Sequence, residues 1–277
     1  MALACAPGAR TPASPTPTEG FVASADGVSI AYRSSGAGEV ALVFLHCWSC
    51  DQTYWDDAFA HEAPRHRVVS LDYAGHGRSG RGRKEWSVSS FAADVSAVVR
   101  KLALTRVVLI AHSMSGPIAV EVARELQGTV VAIIGVDTLA NLSDAPKPER
   151  ADAFGASLAA DFPTMTGKVV KSLFPKDASG PVFDRVTHDM ASADPSIAIP
   201  TIVANWKYPS NETLRTLHLP MRAIQAEATK TDVAANRAVV PDYDVIMVPG
   251  VGHWLMLEAP QTFDDALDRS LASLKID

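Results

Sequence analysis

Arg106-Val107-Val108-Leu109-Ile110-Ala111-His112-Ser113-Met114-Ser115-Gly116-Pro117-Ile118-Ala119-Val120-Glu121-Val122-Ala123 is the stretch whose reading decides the fold of this chain. Its first five residues make a continuous, largely β-branched run, the pattern of a strand buried on both faces. From Gly116 the pattern is helical, with Pro117 in the first turn, where a missing N–H is tolerated. Strand, serine and helix in so few residues force a sharp turn that exposes the Ser113 hydroxyl. This is a nucleophile elbow, usually written G-x-S-x-G. Ala111 and Ser115 replace the glycines here and stay small enough for helix and strand to pass closely. A serine in an ordinary strand–helix turn is the bland alternative, so the rest of the chain must supply the weight.

Three further stretches do so. His253 lies in Val248-Pro249-Gly250-Val251-Gly252-His253-Trp254, a glycine-rich loop after the late apolar run Val245 to Val248. Serine first, acid candidates next and histidine last is one of the known chain orders of a Ser-His-acid triad. Of the other histidines, His61, His66, His188 and His218 have no supporting context. His76 and His112 flank important turns and read as local packing and hydrogen-bonding groups. The apolar run Val40 to Leu45 ends in His46-Cys47-Trp48, and Leu71-Asp72-Tyr73-Ala74-Gly75-His76-Gly77-Arg78-Ser79 follows the run Val68 to Leu71. Asp72 reads as structural, tying the Gly75-His76-Gly77 turn to its neighbours.

With these motifs in this order, the chain resembles the α/β-hydrolase fold over about residues 21–275. It is similar to the capped branch holding esterases, epoxide hydrolases and haloalkane dehalogenases. The resemblance implies an α/β fold with a mostly parallel central sheet, flanking helices and a helical cap inserted after the sixth strand. It also implies that Trp48 and Met114 offer backbone N–H groups to an oxyanion. Cys47 departs from the family pattern, which usually has glycine there, and weakens the Trp48 assignment. Cys47 and Trp254 are candidates for the substrate pocket.

Serine at the elbow decides the chemistry. Aspartate at that position opens epoxides or displaces halide through an alkyl ester, whereas serine suits acyl transfer with His253 as base. The expected activity is hydrolysis of small to medium carboxylic or aryl esters through an acyl-enzyme, without cofactor or metal. Lactonase, C–C bond hydrolase and cofactor-free perhydrolase are the enzyme alternatives, although no arginine stands out for the carboxylate a C–C hydrolase would bind. A small-ligand receptor with hydrolase features is the alternative from a different class. The acid is ambiguous. Asp137 ends the run Val130 to Val136, and Glu227 ends Met221 to Ala226. Asp232, which follows Thr231 at a helix start, reads instead as part of a first helical turn, where negative charge is favoured.

Composition fits this class. The chain has 277 residues, 47% of them hydrophobic, enough for one large core. A net charge of −6 argues against nucleic acid or an anionic membrane surface as partner. No run of apolar residues is long enough to span a membrane. The expected partner is a small-molecule ester, and the expected state is monomer or homodimer. Cys47 and Cys50 lack a second ligand pair for zinc and the thioredoxin-like context of a redox motif, and so small a loop gains little from a disulfide. They read as two free, buried thiols.

Residues 1–20 hold Pro7, Pro12, Pro15 and Pro17 among small residues and read as a solvated linker or signal remnant. Ala2-Leu3-Ala4-Cys5 resembles the end of a bacterial lipoprotein signal, though the basic and apolar regions are missing. An exported, Cys5-anchored or periplasmic protein is one reading and a cytoplasmic one the other. Residues 21–138 and 220–277 are expected to form the core, with the cap at 139–219. The hairpin Phe21 to Arg33 turns at Ala25-Asp26-Gly27. A helix runs from Phe91 to Leu102, with its stripe at Phe91, Val95, Val98, Val99 and Leu102. In the cap, short helices are expected between Pro148, Pro163, Pro175, Pro181, Pro195 and Pro200. Phe154, Phe162, Met165, Phe174, Phe183, Met190 and Trp206 supply pocket or cap core.

Overall fold

The computed structural model describes residues 16–275. Cys5 and most of the proline-rich segment therefore lie outside the described residues. The chain opens with the hairpin of β1 (Thr18–Ala23) and β2 (Ser29–Ser35), closed by Ser24 N–H bonding Val28 O at 2.8 Å. Then come β3 (Ala41–Leu45), α1 (Asp56–Glu62), β4 (Arg67–Leu71), α2 (Val88–Lys101), β5 (Val107–His112), α3 (Ser115–Glu125) and β6 (Val130–Val136). Five helices follow before the next strand: α4 (Pro148–Ala160), α5 (Phe162–Leu173), α6 (Pro181–Ala191), α7 (Pro195–Lys207) and α8 (Ser210–Leu214). The chain ends with β7 (Met221–Ala226), α9 (Val233–Val239), β8 (Tyr243–Val248), α10 (Leu255–Glu258) and α11 (Pro260–Leu274).

The eight strands form one sheet in the order β1-β2-β4-β3-β5-β6-β7-β8. The pairs β1–β2 and β2–β4 are antiparallel; every pair from β4–β3 to β7–β8 is parallel. Parallel strands need crossover connections, and helices supply them, so β3, β5 and β7 are buried along their whole length. This is the α/β-hydrolase fold that the resemblance implies. α2 packs on α3, and α1 on α11. Phe91, Val95, Val98 and Val99 of the α2 stripe are buried as the periodicity predicts, while Leu102 is half-buried just past the helix end; the helix begins earlier than expected, at a capping box made by Ser87 and Ser90.

Prolines in the inserted helices divide into two kinds. Pro148, Pro163, Pro181 and Pro195 stand in first turns, where no intrahelical donor is lost. Pro200 does not separate helices as expected; it lies inside α7. Its ring is exposed while Ile197, Ala198, Thr201, Ile202 and Asn205 are buried, so the carbonyl it leaves unpaired sits on the wet side. Tertiary burial overrides the helix-breaking preference at that point.

At the end of α1, Glu62 is fully buried among His61, Arg65, His66, Asp264 and Asp268, with Arg65 Nη2 at 3.3 Å. Burial pushes its carboxyl up to about 8 from the ordinary 4.5, against the pull of Arg65. The native state then holds a proton that the unfolded chain releases, so this contribution is complete below pH 4.5 and fades as pH rises through 8. Thermal scans across that window should show Tm falling with pH, and Glu62→Gln should flatten the slope.

Candidate active site

Ser113 sits in the turn between β5 and α3 with φ +56°, a left-handed conformation that non-glycine residues adopt at a cost of about 1–3 kcal/mol. The fold sustains it from both sides. Ser113 N–H bonds Val136 O of the neighbouring strand at 3.1 Å, and Gly116 N–H closes the turn on Ser113 O at 3.0 Å. Gly116 is required by close approach, because a Cβ there would collide with Thr138 Oγ1. Ser115, standing where the elbow motif has glycine, uses its hydroxyl. It donates to His46 O at 2.5 Å and accepts from Tyr73 OH at 2.7 Å, joining the elbow to the loop after β3.

His253 is held by its backbone as well as its ring. Its N–H bonds Leu173 O at the end of α5, and its carbonyl accepts from His112 Nε2 at 2.8 Å. Burial keeps His112 well below the ordinary histidine range, so it is the neutral Nε2–H tautomer that donates. Gly252 lets the loop pass Leu173 and Phe174, which a Cβ would strike. Glu258 clamps the same loop from below, accepting from Gly252 N–H at 2.9 Å and from Trp254 N–H at 3.0 Å.

The His253 ring meets Asp137: Nδ1 donates to Oδ2 at 2.5 Å, with both side chains nearly buried. Asp137 Oδ1 accepts from Thr229 Oγ1 at 2.7 Å and from Ala226 N–H at 3.1 Å. Burial resists its ionisation, yet the His253 contact and these two donors hold its carboxyl below the ordinary carboxylate range. Glu227 is exposed and makes no hydrogen bond to His253; its backbone N–H pairs with Val248 O. Asp232 caps α9 through Ala235 N–H. Asp72 accepts from Gln52 and from Arg78 N–H, as a structural tie would.

The loop after β3 corrects one expectation. Cys47 and Cys50 are joined in a disulfide rather than free. The small entropic gain of so short a loop does not decide this. A turn closed by Cys50 N–H on Cys47 O brings the Cα atoms to 5.3 Å, inside the range a disulfide spans. His46 steadies the same turn: Nδ1–H donates to Cys47 O at 2.8 Å while Nε2 accepts from Tyr73 N–H at 3.1 Å. Burial lowers this imidazole to about 4, which keeps it neutral for that double role. Among the described residues, the backbone N–H groups of Trp48 and Met114 have no partner. The Trp48 indole donates to Ala198 O of α7, and Asn205 Nδ2 donates to Met114 O, each at 2.8 Å.

Two chambers meet at Ser113. One, of about 200 Å³, is apolar; Cys47, Trp48, His253 and Trp254 line it from the core, and Phe154, Met190 and Trp206 from the inserted helices. The other, of about 470 Å³, lies toward Met114, Asp137 and Asn205, with Lys147 and Arg150 on its exposed rim. Of the other aromatic candidates, Phe162 packs edge-on to Trp48 and Phe174 stacks on Trp254, as core. Local patterns did not single out Glu258, Thr229 or Asn205, whose partners are remote in sequence or are backbone atoms. Arg150 escaped notice because nothing local aims it at a pocket. A grouping of possible metal ligands, His61, Glu62 and Asp268, lies apart from these chambers and already holds the Arg65 guanidinium, 2.6 Å from Asp268.

Residues 42–266 match the model of the Alpha/beta hydrolase family. A non-heme haloperoxidase from Rhodococcus erythropolis is 35% identical over 116 residues, 41% of this chain and 42% of that protein. The chain thus spans less than half the length of that relative. A 2-(acetamidomethylene)succinate hydrolase from Mesorhizobium japonicum is 22% identical over 251 residues, 84% of this chain and 88% of that one. Among solved structures, a thermophilic esterase from Thermogutta terrifontis has a TM-score of 0.80 at 20% identity, covering 93% of this chain and 99% of its own. Such low identity speaks for the fold alone.

The Glu258 clamp yields a direct expectation. Glu258→Ala leaves two loop N–H groups without their acceptor and should cost about 1–3 kcal/mol in denaturant unfolding. Glu258→Gln, which keeps one acceptor oxygen, should lose less.

Proposed function

Because the chain belongs to the Alpha/beta hydrolase family, we propose that it is a serine hydrolase cleaving carboxylic esters through an acyl-enzyme. The observation that carries this reading is the His253–Asp137 contact at 2.5 Å beside the chamber that half-buried Ser113 also lines. Ser113 Oγ attacks the ester carbonyl as His253 Nε2 takes its proton. Asp137 fixes the Nδ1–H tautomer and stabilises the imidazolium, without itself taking the proton. The tetrahedral oxyanion accepts from the Trp48 and Met114 N–H groups, each worth about 3 kcal/mol in the transition state. His253 returns the proton to the departing alcohol. A water then repeats the sequence and frees the acid.

The apolar chamber suits a short to medium acyl group and the larger, polar-rimmed chamber the alcohol. Lys147 and Arg150 favour a second reading, in which the substrate carries a carboxylate on that side. The likeness to a hydrolase named for a succinate supports it. Asp144 on the same rim opposes any anion, so the preference rests on the two cations outweighing it.

The reading is tested with p-nitrophenyl acetate, butyrate and octanoate. Ser113→Ala should abolish turnover without loss of stability, since a turn hydroxyl fills no core. Asp137→Asn should lower kcat by about 10⁴-fold through the wrong tautomer, with Glu227→Gln near wild type. Equal small effects from Asp137→Asn and Glu227→Gln would overturn the assigned acid. No Ser113-dependent turnover, together with ligand-dependent thermal stabilisation, would move the assignment to a receptor. For the second reading, Arg150→Gln should raise KM for a carboxylated ester and leave p-nitrophenyl butyrate unchanged.

A further inference from the structure

The Cys47–Cys50 disulfide forms part of two walls. Cys47 lines the apolar chamber beside Ser113 and His253. Cys50 lines a separate cavity of about 230 Å³ on the far side of the loop, bounded by His76 and Tyr54, with the exposed Arg81, His188 and Asp194 at its mouth. Between the two cysteines lie Trp48, whose N–H is a candidate oxyanion donor, and Ser49. Ser49 has φ +56°, in a turn position that favours glycine or asparagine, and its buried hydroxyl has no partner among the described residues. The turn thus has a residue unsuited to its shape, and the covalent bridge closes it.

We propose that Cys47–Cys50 is a thiol-exchange site that positions the Trp48 N–H, so that ester hydrolysis is on when the pair is oxidised and off when it is reduced. The inference rests on the hydrolase reading of the Ser113 site. A small thiolate enters through the far cavity and attacks Cys50 Sγ; the S–S bond breaks and Cys47 Sγ leaves as a thiolate that takes a proton. A second thiol resolves the mixed disulfide, giving two cysteine thiols and one small disulfide, with two electrons transferred from the reductant. The reductant reaches Cys50 without crossing the catalytic chamber. Asp51, Asp189 and Asp194 outnumber Arg81 around that cavity, so a thiol reductant without a carboxylate is favoured over one that carries one.

Opening the bridge leaves the segment attached. The Trp48 indole still reaches Ala198 O, and Ser115 still holds His46 O. The fold therefore persists while Ser49 relaxes and the Trp48 N–H leaves the oxyanion position. The effect falls on kcat and largely spares KM and Tm. Its ceiling is the loss of one oxyanion donor, about 10²–10³-fold in kcat.

The test uses the full chain and dithiothreitol. Butyrate ester turnover, Tm and the number of alkylated cysteines are followed through reduction and reoxidation. Expected are two newly alkylated cysteines under native conditions, a fall in kcat of about tenfold or more with little change in KM or Tm, and recovery on reoxidation. Cys50→Ala should turn over at the reduced rate with or without reductant. Three results overturn the proposal: unchanged kcat after both cysteines become alkylatable, failure of the native protein to be reduced, or a reductant response that survives in Cys50→Ala. Absence of Ser113-dependent turnover in the oxidised protein is a different failure. It removes the hydrolase reading and the inference built on it.

Discussion

The left-handed backbone of Ser113 is the constraint around which the site is arranged. A serine at φ +56° is not a conformation its own side chain prefers. It persists because β5 delivers it in register with β6, because α3 begins immediately beyond, and because Gly116 lets that helix lie against Thr138. The hydroxyl is thereby lifted out at the carboxyl end of the parallel strands, where the crevices of open α/β sheets collect ligands. Asp137, with φ +44°, occupies the matching end of β6. The two strained residues are neighbours across one strand pair, and the loop after β8 brings His253 to Asp137.

Around this strain the surrounding contacts are nearly all polar and long in sequence. Ser115 joins the elbow to the loop after β3; His112 joins it to the loop after β8; Asn205 and Trp48 join the inserted helices to both. Most of these groups are buried, so each bond is costly to break and loop positions are over-determined. Buried His46, His76 and His112 are all driven below the ordinary imidazole range, chiefly by burial. Around the elbow, His46 and His112 thus act as neutral struts on two of the loops that converge there.

Legibility in the sequence followed the range of the interactions. β6 was readable end to end because an apolar run reports burial directly, and most of the stripe of α2 was readable from its period. Pro200 was misread because its local preference is for breaking a helix, while burial of Ile197 and Ile202 on the other face is a tertiary matter. Cys47 and Cys50 were misread because loop entropy concerns the unfolded chain, whereas the spacing of their Cα atoms is a property of the folded loop after β3.

Local pattern marked the strands β3 to β8 and the helices α2 and α3, singled out Ser113 and His253 by their turns, and argued against nucleic-acid and membrane partners through charge and composition. These are properties of neighbours in the chain, where sterics and hydrophobic period act over a few residues. Only the tertiary structure decided which carboxylate meets His253, since Asp137 and Glu227 both end strands and differ in where β6 and β7 stand relative to β8. The same holds for the Cys47–Cys50 bridge, the Glu258 clamp and the placing of Arg150 on a chamber rim. Each depends on distances between atoms far apart in the chain, which no spacing in the sequence encodes.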